Sequence, residues 1–284
     1  MTANPIPLLI LGGDGRIGQV LRGQADILRT MDLTPVWQSR RPGSGFLRWD
    51  ILNEPCPDDA ASGVVLCLAG VTRGSPDALG QNKALAMAAC AAARAQGGRH
   101  VFLVSSAAVY GRSDDRVSER TTAVPIGLYG QAKFAMEQAA LGWCRADGPG
   151  LTILRIGNIA GLDTLLGGAR PGQAVLLDPV TGQNGGPVRS YIGPQSLGIV
   201  MAKLVDLAAQ GQPLPKVLNI AAAPAVSMGD LLKAAGVRWR FGPLNPDVIA
   251  KVDLDVALLA QLVDLPPSAG QPDVMVAEWK GLGA

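Results

Sequence analysis

The chain has 284 residues, of which 48% are hydrophobic and 17% charged, and its formal net charge is +2. The usual charged share is about 25%, so a large buried core is expected in a chain long for one domain and short for two. The small net charge and the lack of any lysine or arginine run beyond two residues give no reason to expect nucleic acid or an anionic membrane as partner.

Pro7-Leu8-Leu9-Ile10-Leu11-Gly12 reads as a buried strand ended by glycine. Gly12, Gly15 and Gly18 follow with the spacing Gly-x-x-Gly-x-x-Gly, ahead of a helix-like segment to about Thr30. In that order the glycines permit a tight turn, a close backbone approach to a pyrophosphate, and close helix–strand packing. The helix N-terminus offers free N–H groups to phosphates. A second strand is expected over 35–40 and a third over 45–49. The second ends Ser39-Arg40-Arg41, with no acid between Val36 and Arg48. A carboxylate there accepts from a ribose 2′-hydroxyl, whereas guanidinium groups attract a 2′-phosphate, so NADP is expected over NAD.

Gly63 to Ala69 is a fourth strand, apolar throughout, as a central parallel strand is. A long alanine-rich helix is expected over 76–96 and a fifth strand over 100–105, opening on His100, the chain's one histidine. A histidine-based metal site or a Ser-His-Asp triad has almost nothing to draw on, and no metal is expected. The cysteines Cys56, Cys67, Cys90 and Cys144 form no Cys-x-x-Cys pair and read as reduced thiols of a cytoplasmic protein. No signal-like N-terminus or membrane-length apolar helix is seen.

A helix over 126–145 carries Tyr129 and Lys133, four residues apart and so on one face. An ammonium beside a phenol lowers the phenol pKa, which suits Tyr129 to acid/base work. Ser106, closing the fifth strand, is placed to hydrogen-bond the same substrate oxygen. A sixth strand is expected over 151–156. Strands alternating with helices imply βαβ units, and hence an α/β, Rossmann-like doubly wound parallel sheet of about seven strands. The glycine loop and the ends of strands four and five would then share the carboxyl edge where such sheets bind ligands. Regularity breaks at Gly161 and returns with a helix over 194–210, a strand over 216–221, a short helix over 227–235 and a strand-like 237–241. The domain reading is a dinucleotide-binding domain over 1–161 and 189–222, with a small substrate-binding lobe over 162–188 and 223–284.

Together these residues resemble the extended short-chain dehydrogenase/reductase family, in its NAD(P)-dependent nucleotide-sugar epimerase/dehydratase branch. The resemblance rests on the glycine loop, Ser106 in Ser-Ala-Ala-Val-Tyr-Gly, the Tyr129/Lys133 helix with Glu137 downstream, Leu154-Arg155-Ile156-Gly157-Asn158, and Val188-Arg189-Ser190-Tyr191-Ile192. It implies hydride transfer with Ser106, Tyr129 and Lys133 as the catalytic set. It implies cofactor contacts from Gly12, Gly15, Arg16, Ile17, Gly18, Asp50, Ile51, Leu68, Ala69, Gly70, Asn82, Tyr129, Lys133 and Ile156, joined by Ser39, Arg40 and Arg41. Substrate contacts fall to Ser106, Tyr129, Asn158 and Arg189, with Arg189 on a sugar-nucleotide diphosphate. A homodimer through the helices at 76–96 and 126–145 is also implied. Two departures lie on the substrate side: Ser190 stands where the family usually has aspartate, and Gly193-Pro194-Gln195 replaces a run that usually carries another. A reductase of a smaller carbonyl on the same scaffold is the second reading, and a non-catalytic cofactor-binding protein the third.

Overall fold

The computed structural model describes residues 5–144 and 148–283. In chain order the first elements are β1 (Ile6–Leu11), α1 (Arg16–Gly23), α2 (Ala25–Arg29), β2 (Leu33–Ser39), β3 (Leu47–Arg48), β4 (Val64–Cys67), α3 (Pro76–Ala95) and β5 (His100–Ser106). Then come α4 (Leu128–Trp143), β6 (Gly150–Ile156), β7 (Asn158–Ile159), β8 (Val175–Leu177), β9 (Val188–Ile192), α5 (Pro194–Ala209) and β10 (Val217–Ile220). The chain ends with β11 (Ala222–Ser227), α6 (Met228–Ala235), β12 (Trp239–Phe241), β13 (Lys251–Val252), α7 (Ala257–Ala260) and α8 (Pro272–Lys280).

Seven strands form the main sheet in the order β10-β6-β5-β4-β1-β2-β3. The pairs β1–β2, β1–β4, β2–β3 and β4–β5 are parallel. Chain order reverses direction at β1, between β2 and β4, which is the switch point at which open α/β sheets bind ligands. Leu8 to Leu11 of β1 are each 0% exposed, because a central strand covered on both faces has no solvent side. The glycine-ended strand and the glycine loop thus fall where the sequence places them. The single helix expected to Thr30 is two, since the chain leaves helical geometry at Gln24, after Gly23. The expected end of the Tyr129 helix at Arg145 lies outside the described residues; α4 is described to Trp143.

Two compact units divide the chain. The first comprises Met1–Val109, Pro125–Arg155 and Gly198–Leu218; the second comprises Tyr110–Val124, Ile156–Leu197 and Asn219–Ala284. The stretches expected as a lobe, 162–188 and 223–284, lie in the second unit, joined there by 110–124 and by β7 and β9. Within it β9 pairs with β11, β13 and β7, and Asn219 ties three segments together. Its amide accepts from the Tyr110 hydroxyl at 2.7 Å and donates to the Val117 and Asp255 carbonyls at 3.1 and 3.0 Å. No helix among the described residues is long and apolar enough to cross a membrane.

Candidate active site

In the first unit, β1 ends in a turn that only glycine suits. Gly12 has φ +76°, and a Cβ there would stand 2.7 Å from the Ala69 nitrogen, in the loop after β4. The turn is anchored from β2: the Gly12 amide donates to Gln38 Oε1 at 2.8 Å, and Gln38 Nε2 donates to the Trp49 carbonyl at 2.6 Å. Gly18 permits a different contact from the expected helix–strand one, since a Cβ there would strike the carbonyl of Gly13 in the loop itself. No side chain caps the start of α1. The positive dipole end of α1 favours an anion there.

A cleft of about 410 Å³ opens beside this loop. Of the expected cofactor residues it is lined by Gly12, Gly15, Arg40, Arg41, Asp50, Ile51, Leu68, Ala69 and Gly70; Asp14, Gln38, Leu52, Val71, Gln81 and Leu85 complete it. The cleft fits an extended dinucleotide by its chemistry: Gly12 and Gly15 of the glycine loop ahead of α1, an acid at Asp50, apolar Ile51 and Leu68, and two arginines. At Gly70 a Cβ would approach Lys133 Nζ to 3.2 Å and Asn82 Oδ1 to 3.0 Å, so the missing side chain leaves the lysine against the cleft wall.

Other expected residues serve this surface from behind. Asn82 is 1% exposed and its amide is fully engaged: it donates to the Val71 and Leu79 carbonyls and accepts from the Val71 amide. It fixes the loop after β4. Ser39, also buried, accepts from the Arg41 amide at 3.0 Å and hydrogen-bonds Asp14, so it lies away from this cleft. Arg16, Ile17, Gly18 and Ile156 are not part of its lining.

Ser106, Tyr129 and Lys133, the residues expected to be catalytic, lie around the end of β5. After Ser106 the chain makes a short 3₁₀ turn, Ala107–Tyr110. There α4 approaches so closely that a Cβ at Gly130 would meet the Ala108 carbonyl at 2.5 Å. This approach sets Tyr129 beside Ser106, whose hydroxyl hydrogen-bonds it and also accepts from the Ala108 amide at 3.2 Å. Lys133 is 3% exposed and donates to the Val104 carbonyl of β5 at 2.9 Å.

The electrostatics differ from the expectation. Burial pushes the Tyr129 phenol up, and the Ser106 hydrogen bond and the Arg16 charge only partly offset it. The expected lowering by Lys133 is not found: its ammonium, one helical turn from Tyr129, is directed to the Val104 carbonyl of β5. Lys133 itself is lowered to about 8 by burial, which Cys67 and Glu137 oppose. Beneath it Glu137, 0% exposed, accepts from Arg155 Nη2 at 2.7 Å and from the Ser105 hydroxyl at 2.5 Å.

In the second unit, Asn158 and Arg189 each sit in a polar cluster of their own. Asn158 hydrogen-bonds Asp163 and Tyr191, and the Tyr191 hydroxyl donates to Asp163 Oδ2 at 2.9 Å. Arg189 donates to the Val188 and Ile249 carbonyls at 2.8 and 2.7 Å. It forms no ion pair among the described residues, and burial lowers its pKa. Ser190 accepts from the Leu254 amide at 2.8 Å, so this departure from the family serves the fold. Sequence reasoning missed Asp163 and the Asp14–Arg41 ion pair, whose Nη2–Oδ2 distance is 2.9 Å. Neither has a local motif.

The sequence model of the NAD dependent epimerase/dehydratase family matches residues 8–170, more than half of the chain. The chain belongs to this family. Among solved structures, the UDP-glucose 4-epimerase of Brucella ovis in complex with NAD is 19% identical, with a TM-score of 0.81 and 98% of each chain covered. The UDP-glucose-4-epimerase of Stenotrophomonas maltophila, with bound NAD and formylated UDP-arabinopyranose, is 20% identical at TM-score 0.77, again over 98% of each chain. An NAD-dependent NDP-hexosamine 5,6-dehydratase of tunicamycin biosynthesis is 19% identical at TM-score 0.72, over 97% of this chain and 98% of that one. At these identities the likeness is one of fold. No curated protein matches the sequence.

Proposed function

We propose that the chain binds NAD(P) in the first unit's cleft and acts on a sugar nucleotide as an epimerase or dehydratase, with Ser106, Tyr129 and Lys133 as its catalytic set. The observation that carries this reading is the hydrogen bond between Ser106 and Tyr129, one turn from a lysine that borders the cleft at Gly70. When bound, a nicotinamide dinucleotide accepts and returns hydride. Tyr129 moves the proton on the substrate oxygen. Its raised pKa keeps that proton in place at neutral pH, so in the free protein it stands as the acid. Ser106 orients the same oxygen. Lys133, with one donor spent on Val104 and one directed to Met136 Sδ, holds the cofactor ribose with the third. Arg189, charged and paired only to carbonyls, suits a diphosphate. Ser190, spent on the backbone of Leu254, offers the substrate no charge.

Incubation with a panel of sugar nucleotides tests this. An epimerised or dehydrated product without net change in cofactor absorbance supports the proposal. Stoichiometric cofactor consumption would support the reductase, and no conversion of any sugar nucleotide would contradict the proposal.

The finer cofactor reading is that NADP binds more tightly than NAD. It is supported by Arg40 and Arg41 on the cleft and by the lack of an acid at the end of β2. At a surface site screened by salt, the preference amounts to a few kcal/mol at most, on the order of charge-assisted hydrogen bonds. A cytoplasmic homodimer completes the proposal, supported by four free cysteines and by α3 and α4 packed side by side. Sedimentation at micromolar concentration checks the dimer, and a monomer there would exclude it.

A further inference from the structure

The Asp14–Arg41 ion pair stands between two hollows. One is the cleft already described. The other, of about 500 Å³, is lined by Arg22, Ser39 and Phe46 among others, with the Arg22 guanidinium 4.1 Å from the centre of the Phe46 ring. Asp14 and Arg41 are the residues that line both. Two donors of Arg41, Nε at 3.2 Å and Nη2 at 2.9 Å, go to the same oxygen, Asp14 Oδ2. The Arg41 side chain is 80% exposed and that of Asp14 28%. Ser39 bonds both partners, through the Asp14 carboxylate and the Arg41 amide. One of the two arginines read as partners of a 2′-phosphate is therefore already held by a carboxylate of the glycine loop.

We propose that Asp14 is a specificity-determining residue for the dinucleotide: its carboxylate competes with a ribose 2′-phosphate for Arg41, and so lowers the preference for NADP that Arg40 and Arg41 confer. The inference rests on reading the first cleft as the dinucleotide site. An unphosphorylated ribose leaves the Asp14–Arg41 pair intact. A 2′-phosphate must draw Arg41 away from Asp14 or share it. The pair is exposed, so the competition is modest.

The test is calorimetric titration of the full chain with NADP and with NAD, in wild type, Asp14→Asn, Arg41→Ala and Asp14→Asn/Arg41→Ala, the last read against Arg41→Ala. In Asp14→Asn the ratio of NADP to NAD affinity rises about two- to fivefold, chiefly through NADP, as expected when an exposed carboxylate no longer holds Arg41. That gain disappears when Arg41 is also removed. Asp14→Ser gives the same direction with a smaller side chain. An unchanged or lower ratio in both Asp14 single variants overturns the inference, as does a gain that survives the loss of Arg41. Wild type preferring NAD, with the ratio still rising in Asp14→Asn, would refute the NADP preference and support the role of Asp14. No binding of either dinucleotide to any variant would overturn both.

Discussion

Replacing Lys133 with methionine separates the cost of a buried ammonium from its use. Lys133 is 3% exposed, and burial brings its pKa from 10.5 to about 8. Below pH 8 both folded and unfolded chains carry the proton, and the folded one bears the cost of burying it. Between about 8 and 10.5 the folded state has released the proton while the unfolded state retains it, so stability rises with pH across that window. Integrated from pH 7 to pH 10, this single group adds about 2.5 kcal/mol. Lys133→Met lacks the rise. At pH 7 it loses the hydrogen bond to the Val104 carbonyl, at about 1–3 kcal/mol, and escapes a charge penalty of similar size, so its stability stays near wild type while turnover is lost. Urea unfolding of both proteins from pH 7 to pH 10 checks this, because other titrating groups cancel in the difference. Parallel pH profiles would refute the reasoning and place the ammonium in a better solvated site than the structure gives it.

Two further predictions concern the scaffold. Glu137→Gln leaves the Arg155 guanidinium, 5% exposed, beside a neutral amide; unfolding in denaturant should show a loss of about 3–5 kcal/mol, and a loss below about 1 kcal/mol would contradict a buried charge pair. Gly12→Ala puts a Cβ 2.7 Å from the Ala69 backbone at a φ of +76°; a loss of about 2 kcal/mol or more is expected with weakened dinucleotide binding, and near wild-type affinity would mean that the turn is not the cofactor's.

The sheet was legible because its signal is local. Apolar runs such as 8–11 and Val64–Cys67 are buried on both faces, and the glycines mark where backbone meets backbone. The Tyr129/Lys133 spacing was legible for the same reason, since four residues make one turn of α4. The destination of the Lys133 ammonium was not. It depends on which carbonyl of β5 faces the helix, a matter of packing that residue types do not encode. Arg40 and Arg41 were read by type and position, but Asp14, 27 positions before Arg41, becomes its partner only when the loop and β2 lie side by side. The same holds for Asp163, which meets Tyr191 at a separation of 28. The break of the first long helix at Gln24 follows a glycine whose helix-weakening effect the periodic pattern hid.

The central claim is that Tyr129 carries the proton while the cofactor carries the hydride. Its most direct test is the turnover of Tyr129→Phe, with whichever sugar nucleotide the wild type converts, alongside a dinucleotide titration of the same sample. The phenyl ring keeps the packing and removes the hydroxyl that Ser106 bonds. A fall in kcat of about 10²-fold or more, with dinucleotide affinity unchanged, is the predicted result. Turnover near wild type would contradict it and require another acid/base group.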